Sequence, residues 1–234
     1  MVIGVGRDWE HLAVGVYRRR LPFLDVSVGL VAGSNGVVLI DCGTTPGEAR
    51  DIAADVHTLT GRMVTDIVIT HHHFDHLLGS AGFPAARLHG TGPVAAAVSA
   101  GADALREQAL HYGVAPADLK ESMAGLRPAQ IPLLPLMIDV GDRILTVEHP
   151  GRGHTDHDLI VLVPGDPTVV FCGDLVEESA DPAVDAGSDL AAWPHTLDRL
   201  LEIGGPDAVY VPGHGAAVDA EFVRRQRDWL RTRS

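Results

Sequence analysis

The sequence predicts an α/β protein folded as a four-layer αβ/βα sandwich, and three observations carry that expectation. Two β-rich halves, each made of short β-branched apolar runs broken by Gly, Pro, Asn and Asp, flank a middle stretch of helical pattern. Amphipathic helical periods sit beside those runs, so each sheet has helices to cover one face. No linker, low-complexity segment or short tandem repeat divides the 234 residues, a length that suits one domain or two halves sharing a core. The expected organisation is therefore one domain over 1–234, with a helical insertion at about 93–128.

The first half reads as successive strands over 12–17, 25–32 and 37–40. Ser34-Asn35-Gly36 forms the turn between the last two, since Asn and Gly tolerate positive φ. Thr45-Pro46-Gly47-Glu48 then opens a helix with a capping box and Pro at its first position. Ala49, Ile52, Ala53, Val56 and Leu59 follow at helical spacing, Gly61 stops the helix, and a strand over 66–70 comes next. Residues 93–128 are Ala-rich, with Leu105, Ala109 and Tyr112 on one face and Leu119, Met123 and Leu126 on another. This insertion either packs on the sandwich or caps a site beside it.

A Pro-punctuated crossover from Arg127-Pro128 to Pro135 leads into the second half. Gly141-Asp142 and Pro164-Gly165-Asp166-Pro167 read as turns between strands. Helices are expected at about 188–203 and 219–231. In the last, Phe222, Gln226 and Trp229 share a face, while Arg224, Arg225, Arg227 and Arg231 point largely elsewhere as a solvated set.

Composition narrows the function classes. Hydrophobic residues make up 46% of the chain and aromatic ones 5%, so the core is aliphatic. A formal charge of −13 opposes nucleic-acid binding, which depends on phosphate neutralisation. Cys42 and Cys172 form no disulfide framework and read as small buried apolar residues. No leader pattern opens the chain, and no apolar run nears the ~18 residues of a membrane helix. The expectation is a cytoplasmic protein acting on a small molecule, with no nucleic-acid or membrane partner.

Chemistry concentrates in His71-His72-His73-Phe74-Asp75-His76, directly after the expected strand 66–70. Imidazole and carboxylate are the ligands that borderline divalent metals such as zinc prefer. On extended backbone alternate side chains share a face, so His71 and His73 can converge on one ion. Asp75 and His76 are then free to reach a second. Four more polar residues end apolar runs, where loops at one sheet rim converge: Asp41, His154 in Gly153-His154-Thr155, Asp174 after Gly173, and His214 in Pro212-Gly213-His214-Gly215.

Together with H-x-H-x-D-H, this order of motifs resembles the metallo-β-lactamase superfamily of metallohydrolases over about residues 25–220. The resemblance implies the four-layer metallo-β-lactamase fold with metals at one edge. It assigns His71, His73 and His154 to a first metal, and Asp75, His76 and His214 to a second. Asp174 would bridge both ions, which makes Asp75 and Asp174 the candidate catalytic carboxylates. Asp41 resembles the acid that hydrogen-bonds a ligand imidazole, with a turn-capping role as its alternative. The implied cofactor is zinc, two ions per chain, with iron or manganese fitting the same ligand types. Metal-bound water ionises near pH 7, so the implied chemistry is hydrolysis by attack of a metal-bound hydroxide.

His72 occupies the variable position and is expected to point away from the metals. His157 follows His154 by three, and His149 and His195 are expected in loops of the second half that could face the site. Each reads as a surface or satisfied histidine, with His157 or His195 as candidate substrate-contacting donors. Tyr112 and Tyr210 are candidate oxyanion donors, with Tyr210 set in an apolar run that favours core packing. Superfamily β-lactamases usually carry Cys or Ser where this chain has Asp174, whereas thioesterase and lactonase branches keep Asp. THHHFDH, and GHT followed by Asp158-Leu-Ile-Val, are similar to the glyoxalase II and lactonase branches. The leading expectation is a dinuclear zinc hydrolase of a small thioester, ester or lactone. The alternatives are a β-lactamase-like amidohydrolase and an iron-containing oxidoreductase using the same ligands.

Overall fold

The computed structural model of the protein describes residues 8–233. The start of the chain, over which no leader pattern is expected, lies partly outside the described residues. Strands β1 (Trp9–Ala13), β2 (Val16–Arg20), β3 (Ser27–Ala32) and β4 (Val37–Ile40) form an antiparallel run. Helix α1 (Pro46–Thr60) crosses to β5 (Asp66–Val68), which pairs parallel with β4 and with β6 (Arg87–His89). The second sheet holds β7 (Leu136–Asp139), β8 (Ile144–Glu148), β9 (Ile160–Val163), β10 (Val169–Glu177) and β11 (Val209–His214). Its strand order is β11-β10-β9-β8-β7, with only β10 and β11 parallel.

Side-chain alternation along the strands accounts for four layers. On β4, Val38 and Ile40 enter a core shared with Leu145, Val161 and Phe171 of the other sheet. Val37 and Leu39 point the other way, packing with Ala49, Ile52 and Val56 of α1. On β10 the period repeats: Val169 and Phe171 face the inter-sheet core, while Val170 and Cys172 meet α6 (Trp193–Gly204) and α7 (Ala220–Arg231). Central strands such as β4 and β10 are thus buried on both faces, as the fold class expected from sequence requires. Both cysteines are buried and unpaired.

The N-terminus of α1 is built as its sequence dictates. Thr45 accepts from the Glu48 backbone N–H, Glu48 accepts from the Thr45 N–H, and Gly61 ends the helix at φ 68°. The insertion folds as α3 (Gly92–Ala97), α4 (Ala102–His111) and α5 (Pro116–Gly125), with Leu105, Ala109 and Leu119 in the core of the first sheet. A four-residue helix, α2 (Phe74–Leu77), carries the end of the histidine run.

Several element expectations need correction. The strand expected over 12–17 is two strands of a hairpin, turning at Val14-Gly15 with Gly15 at φ 70°. The Ser34-Asn35-Gly36 turn is present but uses no positive φ, closing instead through Gly33 N–H to Gly36 O at 2.9 Å. The run 25–32 joins the sheet as a strand only from Ser27, Val26 forming an isolated bridge with His214, because Leu24 and Asp25 take left-handed backbone at φ 54° and 58°. β5 stops at Val68, because Thr70 N–H leaves the sheet to bond Asp41 Oδ1 at 2.9 Å. On α7 the buried face runs through Ala220, Val223, Gln226 and Leu230, with Phe222 and Trp229 only partly covered. Arg227 and Arg231 are not merely solvated; both bond the Asp198 carboxylate of α6 at 2.8 Å.

Candidate metal centre

Two parallel strand pairs, β4–β5 and β10–β11, end at one rim of the sandwich. Loops leaving the carboxyl ends of parallel strands are where open α/β sheets gather ligands. Asp41 follows β4, the histidine run follows β5, and Asp174 and His214 lie on β10 and β11. His154 comes from the loop between β8 and β9. Register breaks in the β10–β11 ladder around Gly173 re-aim Asp174 toward the rim. Gly213 leaves room for it, since a Cβ there would fall 1.8 Å from Asp174 Oδ1.

The seven residues gather as two groups, His71, His73, His154 and Asp174, and Asp75, His76 and His214. Their ligand atoms lie within 4.8 Å of one another in each group, and six of the seven residues are buried. In the first group His71 Nε2 and His154 Nε2 each stand 3.0 Å from His73 Nδ1. Asp174 Oδ2 is 3.6 Å from His71 Nε2 and 3.5 Å from His154 Nε2. In the second, Asp75 Oδ2 is 3.6 Å from His76 Nε2 and 3.5 Å from His214 Nε2. Asp174 reaches this group too, at 3.2 Å to His76 Nε2 and 3.4 Å to His214 Nε2. Ligands ~2.0–2.1 Å from a tetrahedral zinc ion are separated by roughly 3.3 Å. These spacings match that edge.

What the outer ring nitrogens do decides what the inner ones offer. His76 Nδ1 is 2.9 Å from Asp41 Oδ2, His214 Nδ1 is 2.7 Å from the Leu24 carbonyl, and His154 Nδ1 is 3.0 Å from the Ala183 carbonyl. Each oxygen can only accept, so each of these nitrogens carries the proton. Thr70 Oγ1 donates to Asp41 Oδ2, leaving its lone pair for His71 Nδ1–H at 3.0 Å. His73 Nε2 faces Asp185 Oδ2 at 3.5 Å. Five imidazoles are thereby fixed with their remaining lone pairs pointing inward, toward one another and toward carboxylate oxygens. With those nitrogens deprotonated, lone pairs face lone pairs, and only a cation or added protons can satisfy them. Consistently, His76 Nε2 and Asp174 Oδ1 are buried without a hydrogen-bond partner. Divalent cations are what such a donor set fits.

Burial and charge around the imidazoles point the same way. Burial lowers the basicity of His71 far below the usual imidazole range, and Asp174 only partly opposes it. At His214 burial also acts downward, but the charge of Asp174 and its hydrogen bond outweigh it and raise the pKa to about 10. At His76 the charges of Asp174, Asp75 and Asp41 likewise overcome burial. Protons thus supply at the second group the positive charge that an ion would bring, and binding an ion must displace them.

The remaining sequence candidates separate cleanly. Asp41 is no helix cap, since Thr45 fills that place; it sits at φ 57° and binds Thr70 and His76. His72 turns away and pairs with His157, whose Nδ1 meets Asp156, in a polar cavity beside the metal groups. His195 is exposed at the start of α6, and His149 bonds the Asp158 carbonyl. Tyr210 is core, its hydroxyl donating to the Gly205 carbonyl. Tyr112 lies at the mouth of the metal cavity. Thr155 donates twice to Asp158, fixing the turn that carries His154.

Sequence reasoning missed Thr70, Asp185, Glu177 and the Leu24 and Ala183 carbonyls. Thr70 and Glu177 had a signal, being next to His71 and three residues after Asp174. Glu177 lines the cavity, where burial and then the charge of Asp174 push its carboxyl up to about 8. The cavity encloses about 380 Å3 and opens over both ligand groups.

The sequence model of the metallo-β-lactamase superfamily matches residues 21–214. A metallo-β-lactamase type 2 from Bacillus cereus is 24% identical over 229 residues, covering 95% of this chain and 79% of that protein. A second, from Bacillus sp. (strain 170), is 23% identical with the same coverage. Among solved structures, a metallo-β-lactamase from Pontibacter korlensis superposes with a TM-score of 0.70 at 20% identity, covering 96% of this chain and 98% of the other. The metallo-β-lactamase FIM-1 from Pseudomonas aeruginosa, in its mono-zinc form, gives 0.69 at 17% identity, covering 98% and 99%.

Proposed function

The chain belongs to the metallo-β-lactamase superfamily, and we propose that within it the protein is a dinuclear zinc hydrolase of a small thioester, ester or lactone. The observation that carries this reading is the set of five inward imidazole lone pairs arranged on either side of the Asp174 carboxylate. His71, His73 and His154 would hold one ion, Asp75, His76 and His214 the other, with Asp174 between them. Bound zinc supplies Lewis acidity and water that ionises near neutral pH. The chain's own residues do the rest. Asp174 places negative charge between two like-charged sites and offsets their repulsion. Asp41, Thr70 and the Leu24 and Ala183 carbonyls fix imidazole tautomers and ring planes, so donor geometry is set before ligand arrives. Burial of the ligands keeps the surroundings low in dielectric, where these interactions are stronger than in water.

A metal-dependent hydrolase acting on a small molecule is the common ground of the family. Among the described residues no helix is long and apolar enough to cross a membrane. The second reading is β-lactam hydrolysis, favoured by the names of the Bacillus relatives. Thioester and lactone leaving groups need less protonation than a β-lactam amine. The test is a panel of thioester, lactone, ester and penicillin assayed on chelated and on zinc-restored protein. We expect activity only after zinc is restored, with a thioester or lactone fastest in kcat/KM. A penicillin fastest by tenfold, about 1.4 kcal/mol of transition-state preference, would select the second reading. Equal activity in the chelated protein would remove both.

A further inference from the structure

We propose that the cavity takes an electrically neutral substrate whose apolar arm lies against Phe74 and Tyr112, and that it discriminates against arms bearing a carboxylate. This rests on the hydrolase reading and deepens it. The apolar part of the lining comes from Leu24, Phe74, Tyr112 and Val184. Tyr112 is 54% exposed and stacks on Phe74, with ring centroids 5.5 Å apart and planes 28° apart. An exposed aromatic face beside a deep polar site is surface that an apolar group can cover, at about 25 cal/mol per Å2 removed from water.

Away from the ligand groups, the lining offers no cationic side chain to a substrate arm. Among the described residues no Lys or Arg lines this cavity. The chain's single lysine, Lys120, is on α5 and exposed. Arg20 is committed to both oxygens of Asp25, and Arg152, which lines the neighbouring cavity, lies against Asp189. Asp185 instead brings a half-exposed carboxylate to the mouth, 3.5 Å from His73 Nε2. A carboxylate carried on the arm, away from the ligand groups, would lose hydration without a cationic side chain to replace it, and would meet a like charge. Gln108 and Tyr112, both from the insertion, belong to the lining. The insertion therefore supplies substrate-facing surface rather than packing alone.

The experiment uses zinc-loaded full-length protein and three thioesters of one leaving thiol, with acetyl, hexanoyl and 5-carboxypentanoyl arms. Hexanoyl is expected to exceed the carboxylate arm at least tenfold in kcat/KM. Tyr112→Ala should lower the hexanoyl value at least fivefold and leave acetyl within twofold, while Tyr112→Phe keeps the ring and the preference. Val184→Arg, at a half-exposed position, should raise the carboxylate arm relative to hexanoyl. A carboxylate arm turned over as well as hexanoyl by the unaltered protein would overturn the proposal. So would an equal loss on acetyl and hexanoyl in Tyr112→Ala. If no thioester is hydrolysed, the thioester part of the hydrolase reading fails separately. Calorimetric binding of the matching non-hydrolysable amides then decides the charge question, and equal or tighter binding of the carboxylate arm overturns it.

Discussion

Asp174→Asn is expected to lower turnover on the best substrate by on the order of 10²-fold or more and to empty the second metal group first. The carboxylate is buried and lies 3.2–3.6 Å from four ligand nitrogens, two from each group. An amide of the same shape keeps one acceptor but loses the charge that offsets repulsion between two cations. It also puts N–H donors where the carboxylate offered lone pairs, and an N–H cannot ligate a cation. Because the shape is retained, a large loss of stability is not expected, and thermal unfolding of the metal-free protein serves as the control. Turnover and zinc content both near those of the unaltered protein would contradict the role assigned to Asp174.

The second large effect is expected at Asp41, and its conformation makes the choice of substitution matter. At φ 57° Asp41 occupies left-handed backbone, which Asn tolerates far better than Ala. Asp41→Asn therefore preserves the turn while removing the charge that holds His76 Nδ1–H and the Thr70 hydroxyl, and through Thr70 the ring of His71. Removing such an outer partner typically costs 10–100-fold in metal affinity or activity. We expect that range for zinc affinity at the group containing His76, read by competition with a chromophoric chelator. The Asn variant should hold its fold as judged by circular dichroism. Unchanged zinc affinity in a folded Asp41→Asn protein would return Asp41 to a purely structural turn.

The parts of this site that were legible in the sequence are those written in side chains. His71, His73, Asp75 and His76 announce themselves because ligand chemistry is compressed into one turn. His154, Asp174 and His214 follow because each ends an apolar run flanked by glycine. The two-sheet architecture was legible for the same reason, since the period-2 alternation of runs such as Val37-Val38-Leu39-Ile40 serves both cores. The partners that fix tautomers were not legible where they are backbone carbonyls, as at Leu24 and Ala183, because a carbonyl has no sequence signature. Asp185 sits in a loop without periodicity, so nothing marked it. The break between β1 and β2 was hidden because Val14, although apolar, is 75% exposed at the turn. The insertion's relation to the cavity depended on where α4 ends in space, which places Tyr112 against Phe74.

The most direct test of the central claim is a zinc titration of the chelated, full-length protein, with bound metal quantified by elemental analysis after removal of free ion. Two convergent donor groups sharing one buried carboxylate lead us to expect two zinc ions per chain at saturation, the second binding with release of protons from the His76 and His214 group. Saturation at a single tightly held ion, with no second binding step up to millimolar zinc, would contradict the dinuclear centre.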